Sequence, residues 1–299
     1  MTPSLYRRHL LAALLGATAY PGHANESPLR FGVSQSLVHE LNANDARAAL
    51  SVWIRRITSD LAVDASFGSD LFISPDRLEE KLRNEQLDAV GISILDYRRM
   101  AGLLDKSQVA VPVFRGRFEY VLLVAADSKV HDVSALRGLR LLLLDSAMAS
   151  AASAWLATLL DSIEPKGPAA FFSSITIHSK PSKVMLPVFF RQSEACLTTH
   201  SSYVTMSELN PQVATRLRVL TVSPEIVPLM YAFRKGWKGG VKEKALRAFS
   251  AVASTSAGRQ LLTLFQCEDL AVKDGSCLDP SIEILAHAER LRKRKGAAL

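Results

Sequence analysis

The chain has 299 residues, of which 48% are apolar and 22% are charged, and its formal net charge at pH 7 is +7. This composition excludes a wholly disordered chain, because it provides enough apolar side chains for a packed core, and the length suffices for two domains of ordinary size. The positive charge is only a weak indication of anionic partners, since a net charge of this size is also ordinary for a soluble protein.

The first 24 residues have the pattern of an export signal. A basic start with Arg7 and Arg8 precedes the apolar run LLAALLGATA, which is too short to span a bilayer. Small-residue cleavage motifs end at Ala19 and at Ala24, and the polar stretch NESP that follows favours cleavage near Ala24. The paired arginines also resemble a twin-arginine signal, so the export route stays open between that pathway and the general secretory one. We therefore predict an exported protein.

The first part of the mature chain alternates predicted strands and helices. The stretch LRFGVS at 29–34 predicts a strand, and apolar side chains then keep helical spacing from residue 46 to residue 61. Further strands are predicted at 62–67 and 88–93, with a helix between them. This alternation predicts parallel strands joined by crossover helices, which is an α/β unit.

A second α/β unit is predicted between about 119 and 222. It begins with the strand FEYVLLVAADS and continues with LRLLLLD at 139–145, which is apolar on both faces, as a central parallel strand is. A helix is predicted over about 150–161. The other strands of this unit are predicted at 174–178, 194–199 and 217–223. A strand at LMYAFRK and three helices follow.

A cleft between the two units is the expected ligand site. Strands, and no flexible spacers, join the units, which indicates two lobes connected by a hinge. Ligands of α/β sheets bind at the carboxyl ends of the strands. Ser146 and Ser150 follow the buried strand at such an end, where hydroxyls and the N–H groups of a helix start can bind an anion. The alternative is that these serines only cap the helix.

Several stretches together resemble the phosphonate- and phosphate-binding proteins of ABC importers. They are LRFGVSQS, LRNEQLDAVGISILDYRRM, FEYVLLVAADSKVHDVSALRGLRLLLLDSAMASAASA, LNPQVATRLRVLTVSPEIV and AFSAVASTSAGRQLLTLFQ, and the likeness covers most of residues 29–290. The resemblance implies an α/β, two-lobed type II periplasmic binding-protein fold, in which each lobe is a mostly parallel sheet flanked by helices and two crossing strands form the hinge. Lobe 1 would comprise about 28–118 plus 223–299, and lobe 2 about 119–222.

The resemblance also implies a function. Proteins of this family close two lobes on a small oxyanion and pass it to a membrane permease. We therefore expect a monomeric periplasmic protein that captures a small anionic, phosphonate- or phosphate-like solute for an ABC importer. We expect no cofactor, no metal and no nucleic-acid partner. Two alternatives of the same fold stay open: a sensor that acts on a membrane sensor kinase, and an adaptor whose pocket has lost its ligand and is filled by Met148.

The expected ligand-binding residues lie near the ends of predicted strands in both lobes. They are Ser34, Gln35, Tyr97, Ser146, Ser150, Lys180 and Glu194. Tyr97 matches a tyrosine of the family, whereas only Ser150 stays in register with the family's consecutive Ser-Thr-Ser. Ordinary alternatives are a surface tyrosine, a solvated lysine, and an ion pair between Glu194 and Arg191.

No motif in the sequence indicates an enzyme. The chain lacks G-x-S-x-G, H-E-x-x-H, a P-loop and G-x-G-x-x-G, and its seven histidines have no metal-ligand spacing.

The three cysteines suggest one disulfide. Cys267 and Cys277 bracket nine residues that include the turn signal Asp274-Gly275, and an oxidising compartment would allow them to pair. The alternative is two buried thiols. Cys196 is expected to be a buried free thiol in a strand.

Overall fold

The computed structural model describes residues 28–38, 44–66 and 71–295. The predicted signal peptide of residues 1–24 and its cleavage site lie outside these residues. Within the described ranges, every helix is too short or too polar to cross a membrane.

The strands of the described residues are numbered in chain order. They are β1 (Leu29–Ser34), β2 (Ala65–Ser66), β3 (Phe72–Ile73), β4 (Ala89–Ser93), β5 (Leu104–Val113), β6 (Tyr120–Ala125), β7 (Arg140–Leu144), β8 (Ser174–His178), β9 (Ala195–Thr199), β10 (Leu217–Val222), β11 (Leu229–Arg234) and β12 (Asp269–Lys273).

The α-helices alternate with these strands. They are α1 (Asn44–Asp60), α2 (Pro75–Arg83), α3 (Ile94–Met100), α4 (Ala152–Leu160), α5 (Pro168–Phe171), α6 (Pro181–Phe189), α7 (His200–Leu209), α8 (Pro211–Arg216), α9 (Lys242–Phe249), α10 (Ser256–Leu264) and α11 (Asp279–Lys295). Two short 3-10 turns are important for the site, namely Gln35–Val38 after β1 and Ala147–Ala149 after β7.

The described strands form two sheets. The larger has seven strands in the order β12-β5-β11-β4-β1-β2, with β3 also paired to β1, and the smaller has five in the order β10-β6-β9-β7-β8. The pairs of β1 with β2, β3 and β4 are parallel, as are those of β7 with β8 and β9. Antiparallel pairs occur where β11 meets β4 and where β6 meets β9 and β10. This confirms the predicted α/β fold with two sheets, and the antiparallel strands make each sheet mixed.

Both faces of the larger sheet are covered by helices. Successive side chains of a strand point to opposite faces, and along β11 Met230 and Ala232 join one apolar cluster while Leu229 and Phe233 join the other. Helices α2, α3 and α11 contribute to the first cluster, and α1, α9 and α10 contribute to the second. A sheet buried on both faces is the normal environment of the parallel strands β1 and β4.

The chain crosses between the two sheets at residues 114–119 and again at 223–228, and the crossings hydrogen-bond to each other. The Tyr120 N–H donates to Ser223 Oγ and the Ser223 N–H donates to the Tyr120 carbonyl, each at 2.9 Å. The Ile226 N–H donates to the Phe118 carbonyl at 2.8 Å. These bonds hold the two crossings together as one connection.

Helix α11 forms a further connection between the two layers. It follows β12 of the larger sheet and packs against α4 of the smaller-sheet layer as well as against α3. His287 Nε2 lies 3.0 Å from Asp161 Oδ2, just after α4, and Arg294 lies 3.3 Å from the same carboxylate. At the start of α11, Ser281 Oγ accepts the Val227 N–H of the second crossing at 2.8 Å.

The structure corrects the predicted disulfide, because all three cysteines are free thiols. Cys267 belongs to the cluster of α9 and α10, whereas Cys277 packs against the cluster of α3 and α11, so the two thiols lie on opposite faces of the larger sheet. The Sγ of Cys267 is 3.7 Å from the Leu262 carbonyl. Strand β12 lies between the two cysteines in the chain. Cys196 is buried in β9, as predicted.

The protein purified without reductant is expected to show three reactive thiols per chain with Ellman's reagent in denaturant. Cys277→Ser is expected to lower this number from three to two. A single thiol in the parent chain, rising to two in Cys277→Ser, would show that Cys267 and Cys277 form a disulfide and would contradict this prediction.

Candidate functional site

Three strand-to-helix corners meet at one edge of the smaller sheet. The strands β7, β8 and β9 are parallel neighbours, so their carboxyl ends lie at the same edge. A hydroxyl side chain follows or ends each of them: Ser146 after β7, Ser179 after β8, and Thr199 at the end of β9. The corners therefore bring polar side chains from three distant parts of the sequence to one place.

Two of these hydroxyls cap the turn or helix that follows. Ser146 Oγ accepts the Ala149 N–H at 3.2 Å, and Thr199 Oγ1 accepts the Ser202 N–H at 3.1 Å. Thr199 Oγ1 also donates to Ser202 Oγ at 2.8 Å. A hydroxyl that accepts a hydrogen bond still has its own proton to donate. Ser146 and Ser202 can therefore each donate a hydrogen bond to a further group.

A cleft separates these corners from the layer of the larger sheet. Its lining residues are Leu144, Ser146, Ala147, Met148, Ser179, Pro181, Thr199 and Ser202 on one side and Leu37, Leu264, Phe265 and Gln266 on the other. The cavity is about 120 Å³, which is below the several hundred Å³ of drug-sized sites and suits a small solute. The turns Gln35–Val38 and Ala147–Ala149 touch across the cleft. Met148 lines the cleft without filling it.

The lining of the cleft carries no formal charge among the described residues. Its polar groups are four hydroxyls and the carboxamide of Gln266. Helix α7 begins at this cleft, and the positive end of its helix dipole favours a negative charge there. Uncharged donors and a helix start are suited to binding an oxyanion without a neutralising side chain. The described residues also hold no cluster of three or more His, Cys, Asp or Glu side chains that could bind a metal.

Tyr120 fixes the corner that carries Ser146. Its ring is fully buried, 6.3 Å from that of Trp155 between centroids. Its hydroxyl accepts the Ala151 N–H and donates to the Met148 carbonyl, both at 3.3 Å. Burial raises the pKa of the Tyr120 hydroxyl, so the group stays neutral and keeps its proton for the Met148 carbonyl. These two hydrogen bonds of one buried side chain hold the turn between Ser146 and α4 in place.

Of the sequence-predicted residues, Ser146 lines the cleft. Ser150 lies four residues further on, half-buried, and its hydroxyl is buried without a hydrogen-bond partner. Lys180 is exposed beside Ser179 at the start of α6 and is not part of the lining.

Three of the predicted residues, Ser34, Gln35 and Tyr97, belong to the layer of the larger sheet. The buried Ser34 hydroxyl donates to Asp96 Oδ2 at 2.7 Å, and Gln35 Nε2 donates to the Phe72 carbonyl at 3.2 Å. Tyr97 is 1% exposed and packs in the core between α3 and α11, with its hydroxyl unpartnered. Burial raises the pKa of Tyr97, and the nearby Asp279 raises it further. None of these three side chains lines the cleft.

Glu194 also lies away from the cleft, contrary to the prediction that it contacts the ligand. It precedes β9 and binds Arg140 at the start of β7, with its Oε1 2.8 Å from Arg140 Nη2. This hydrogen-bonded pair lowers the pKa of Glu194. The amino ends of parallel strands lie at the edge opposite the cleft, so Glu194 does not face a ligand there. The expected partner Arg191 instead pairs with Asp127.

The sequence analysis missed Ser179, Thr199, Ser202 and Gln266. A signal for two of them was present, because Thr199 ends a predicted strand and HSS follows it, just as hydroxyls follow the strand before Ser146. Gln266 carries no comparable signal, since it lies at the end of a helix in the other layer.

The Tyr120→Phe substitution is expected to destabilise the protein by about 1–2 kcal/mol, because the buried Ala151 N–H loses its acceptor. Urea unfolding measures this loss. Tyr203→Phe is the matched control, since the hydroxyl of Tyr203 donates to the Leu217 carbonyl from a half-buried position. Equal stability of the two variants would contradict the role of Tyr120.

A family model and several solved structures match the chain. The model, described as the periplasmic substrate-binding protein of phosphonate ABC transporters, matches residues 49–273. No curated protein sequence matches the chain.

The structural matches cover nearly the whole chain at low identity. The Xanthomonas citri protein XAC2383 bound to ATP is 17% identical with a TM-score of 0.61, covering 90% of this chain and 99% of that one. A binding protein component of an ABC phosphonate transporter from Pseudomonas aeruginosa is 14% identical with a TM-score of 0.58, covering 92% and 91%. PhnD1 from Prochlorococcus marinus, in complex with methylphosphonate, is 12% identical with a TM-score of 0.56, covering 90% and 98%. At these identities the likeness shows the fold alone.

Proposed function

The chain belongs to the periplasmic substrate-binding proteins of phosphonate ABC transporters, and we propose that it binds its solute at the hydroxyl-lined cleft between the two sheets. Proteins of this family are carriers and not enzymes. Membership of the family confirms the solute-binding function for an ABC importer and the periplasmic location. The family binds a small phosphonate-type solute and delivers it to the permease.

The observation that carries the proposed site is the convergence of Ser146, Thr199 and Ser202 on one cleft. The oxygens of a phosphonate accept hydrogen bonds from the Ser146 and Ser202 hydroxyls, and the dipole of α7 favours their negative charge. Hydrogen bonds to a charged group contribute roughly 1.5–3 kcal/mol each. Micromolar binding corresponds to a free energy of about −8 kcal/mol, so several such bonds have to act together to offset the cost of association.

Closure of the two layers completes the proposed site. The turn Gln35–Val38 approaches the turn Ala147–Ala149, so the cleft has walls from both layers. The solute therefore contacts both walls, and its binding stabilises the closed arrangement over an open one. The permease can then distinguish the closed, ligand-bound protein from the open, ligand-free one.

The lobe boundaries, the Ser150 contact, the cleavage site and the oligomeric state are proposals as well. We propose lobe 1 as residues 28–118 plus 223–299 and lobe 2 as residues 119–222, supported by the membership of their strands in the larger and the smaller sheet. Helix α11 packs on both lobes. Ser150 stays a proposed ligand contact because its buried hydroxyl lacks a partner at the same corner. Cleavage near Ala24 and a monomeric state also stay proposals.

The mature chain, starting at residue 25, is expected to unfold at a higher temperature with an alkylphosphonate. A ligand at 100 times its dissociation constant adds about 2.7 kcal/mol to the free energy of unfolding. Ser202→Ala is expected to weaken binding about 10-fold, which corresponds to about 1.4 kcal/mol. Isothermal titration calorimetry with methylphosphonate measures the dissociation constants.

Ser207→Ala is the matched control for this experiment. Ser207 lies on the same helix and donates to the Tyr203 carbonyl at 2.8 Å, away from the cleft lining. If Ser202→Ala and Ser207→Ala bind alike, the hydroxyl cluster is not the site.

A further inference from the structure

A second cavity lies at the edge of the smaller sheet. Strand β8 is the last strand of that sheet, and its Ile177 is paired in register with Leu143 of the neighbouring β7. Ile177 and Leu143 therefore point to the same face of the sheet, as does Ile175, which lies two residues before Ile177. Helix α4 packs against β7, but Ile177 at the edge keeps 58% of its surface exposed. The sheet face is thus left with apolar surface that no element of the chain covers.

Helix α11 turns this uncovered face into a groove. We call the cavity between β7, β8, α4, residues 166–169 and α11 the edge groove, and its volume is about 310 Å³. Its apolar lining includes Leu143, Ile175 and Ile177 from the sheet, Leu156 from α4 and Leu291 from α11. The edge groove shares no described lining residue with the solute cleft. Its volume is at the lower end of the range for small-molecule sites, which suits one alkyl chain better than the two chains of a phospholipid.

The charges at the edge groove have one sign. Within its described lining, Lys166 and Arg292 are cationic, Ser153 is the remaining polar side chain, and no side chain is acidic. Lys166 and Arg292 are both exposed, so each can reach a ligand at the mouth of the groove. The acidic neighbour of Lys166 in the chain, Glu164, already forms an ion pair with Arg137. The mouth of the groove therefore favours an anionic group.

From the apolar lining and the two cations we propose that the edge groove binds a single-chain anionic amphiphile, of the class of medium-chain fatty acids. The alkyl chain covers Ile177 and lies between Leu156 and Leu291. The carboxylate accepts hydrogen bonds from Lys166 and Arg292. Burial of the chain provides most of the affinity, and the charge-assisted hydrogen bonds fix the orientation of the ligand.

A ligand in the edge groove contacts both layers of the protein. Helix α11 follows β12 of the larger sheet, whereas β7, β8 and α4 belong to the layer of the smaller sheet. The bound chain lies between α11 and the smaller sheet. Its binding therefore favours the arrangement in which α11 is packed on α4.

Decanoate, hexanoate and decylammonium test the chain and the charge separately. Calorimetric titration of the mature chain should show one saturable decanoate site. Decanoate should bind about 10-fold or more tightly than hexanoate, because each fully buried methylene contributes about 4-fold in affinity. Decylammonium has the same chain with the opposite charge and should bind about 10-fold or more weakly than decanoate.

Three results of these titrations overturn the proposal. The first is the absence of saturable decanoate binding; sedimentation of the same chain with phosphatidylglycerol vesicles would then indicate a membrane surface as the occupant. The second is equal binding of decanoate and decylammonium. The third is displacement of decanoate by methylphosphonate, which would place decanoate in the solute cleft.

The Ile177→Glu variant tests the position of the alkyl chain. It is expected to weaken decanoate binding about 10-fold or more, because the new carboxylate removes apolar surface and repels the ligand. Val219→Glu is the matched control, since Val219 is also an exposed branched residue and lies on β10, the opposite edge strand of the same sheet, outside the groove. Equal decanoate affinity of the two variants overturns the assignment of the edge groove.

A double variant tests the two cations. Lys166→Gln together with Arg292→Gln is expected to weaken decanoate binding about 10-fold and not to weaken decylammonium binding. The control is Lys129→Gln together with Arg290→Gln, which removes two other exposed positive charges, one of them also from α11, outside the lining. An equal loss of decanoate affinity in both double variants would show that only the net charge matters, and it would contradict the role of Lys166 and Arg292.

Discussion

The hydrogen bonds of Tyr120 link the two chain crossings between the sheets to the turn that follows Ser146. Its backbone exchanges two hydrogen bonds with Ser223 of the second crossing, and its hydroxyl holds the turn that leads from Ser146 to α4. One buried residue therefore supports the connection between the two sheets and the corner at which the solute is proposed to bind. Such coupling is possible because the side chain is rigid and close-packed, so that a displacement at one end cannot be absorbed in between.

The electrostatics of the cleft follow from the same arrangement. Three parallel strands end at one edge, and a helix starts there, so the proposed site has hydroxyl donors and the positive end of a helix dipole. Two groups of ion pairs lie away from the cleft: the Glu194–Arg140 pair is at the other edge of the sheet, and the pairs of Asp161 are on the side of α11. The net charge of +7 thus says little about the binding site, whose described lining is neutral.

The sequence analysis predicted the elements that have strong local signals and missed those without them. The buried strand β7 and the helix α10 were predicted, because continuous apolar character and helical spacing mark them. Strand β5 was missed because the polar residues 105–108 separate the buried Leu104 from the buried residues 109–112, and β12 was missed because it is short and mostly half-exposed. Of the proposed site, the sequence located the corner at Ser146 but not the one at Thr199 and Ser202.

The sequence by itself determined the alternation of strands and helices, the family, and the presence of hydroxyls after a buried strand. These are local properties, since a period of two or 3.6 residues and a strand-end motif are written within a dozen residues. Only the tertiary structure decided which corners share a cleft, which edge Glu194 occupies, and that Cys267 and Cys277 lie on opposite faces of a sheet. Those facts depend on the pairing of strands distant in the chain. A shift of one residue along a strand reverses the face to which a side chain points, and no local pattern fixes a strand's neighbour.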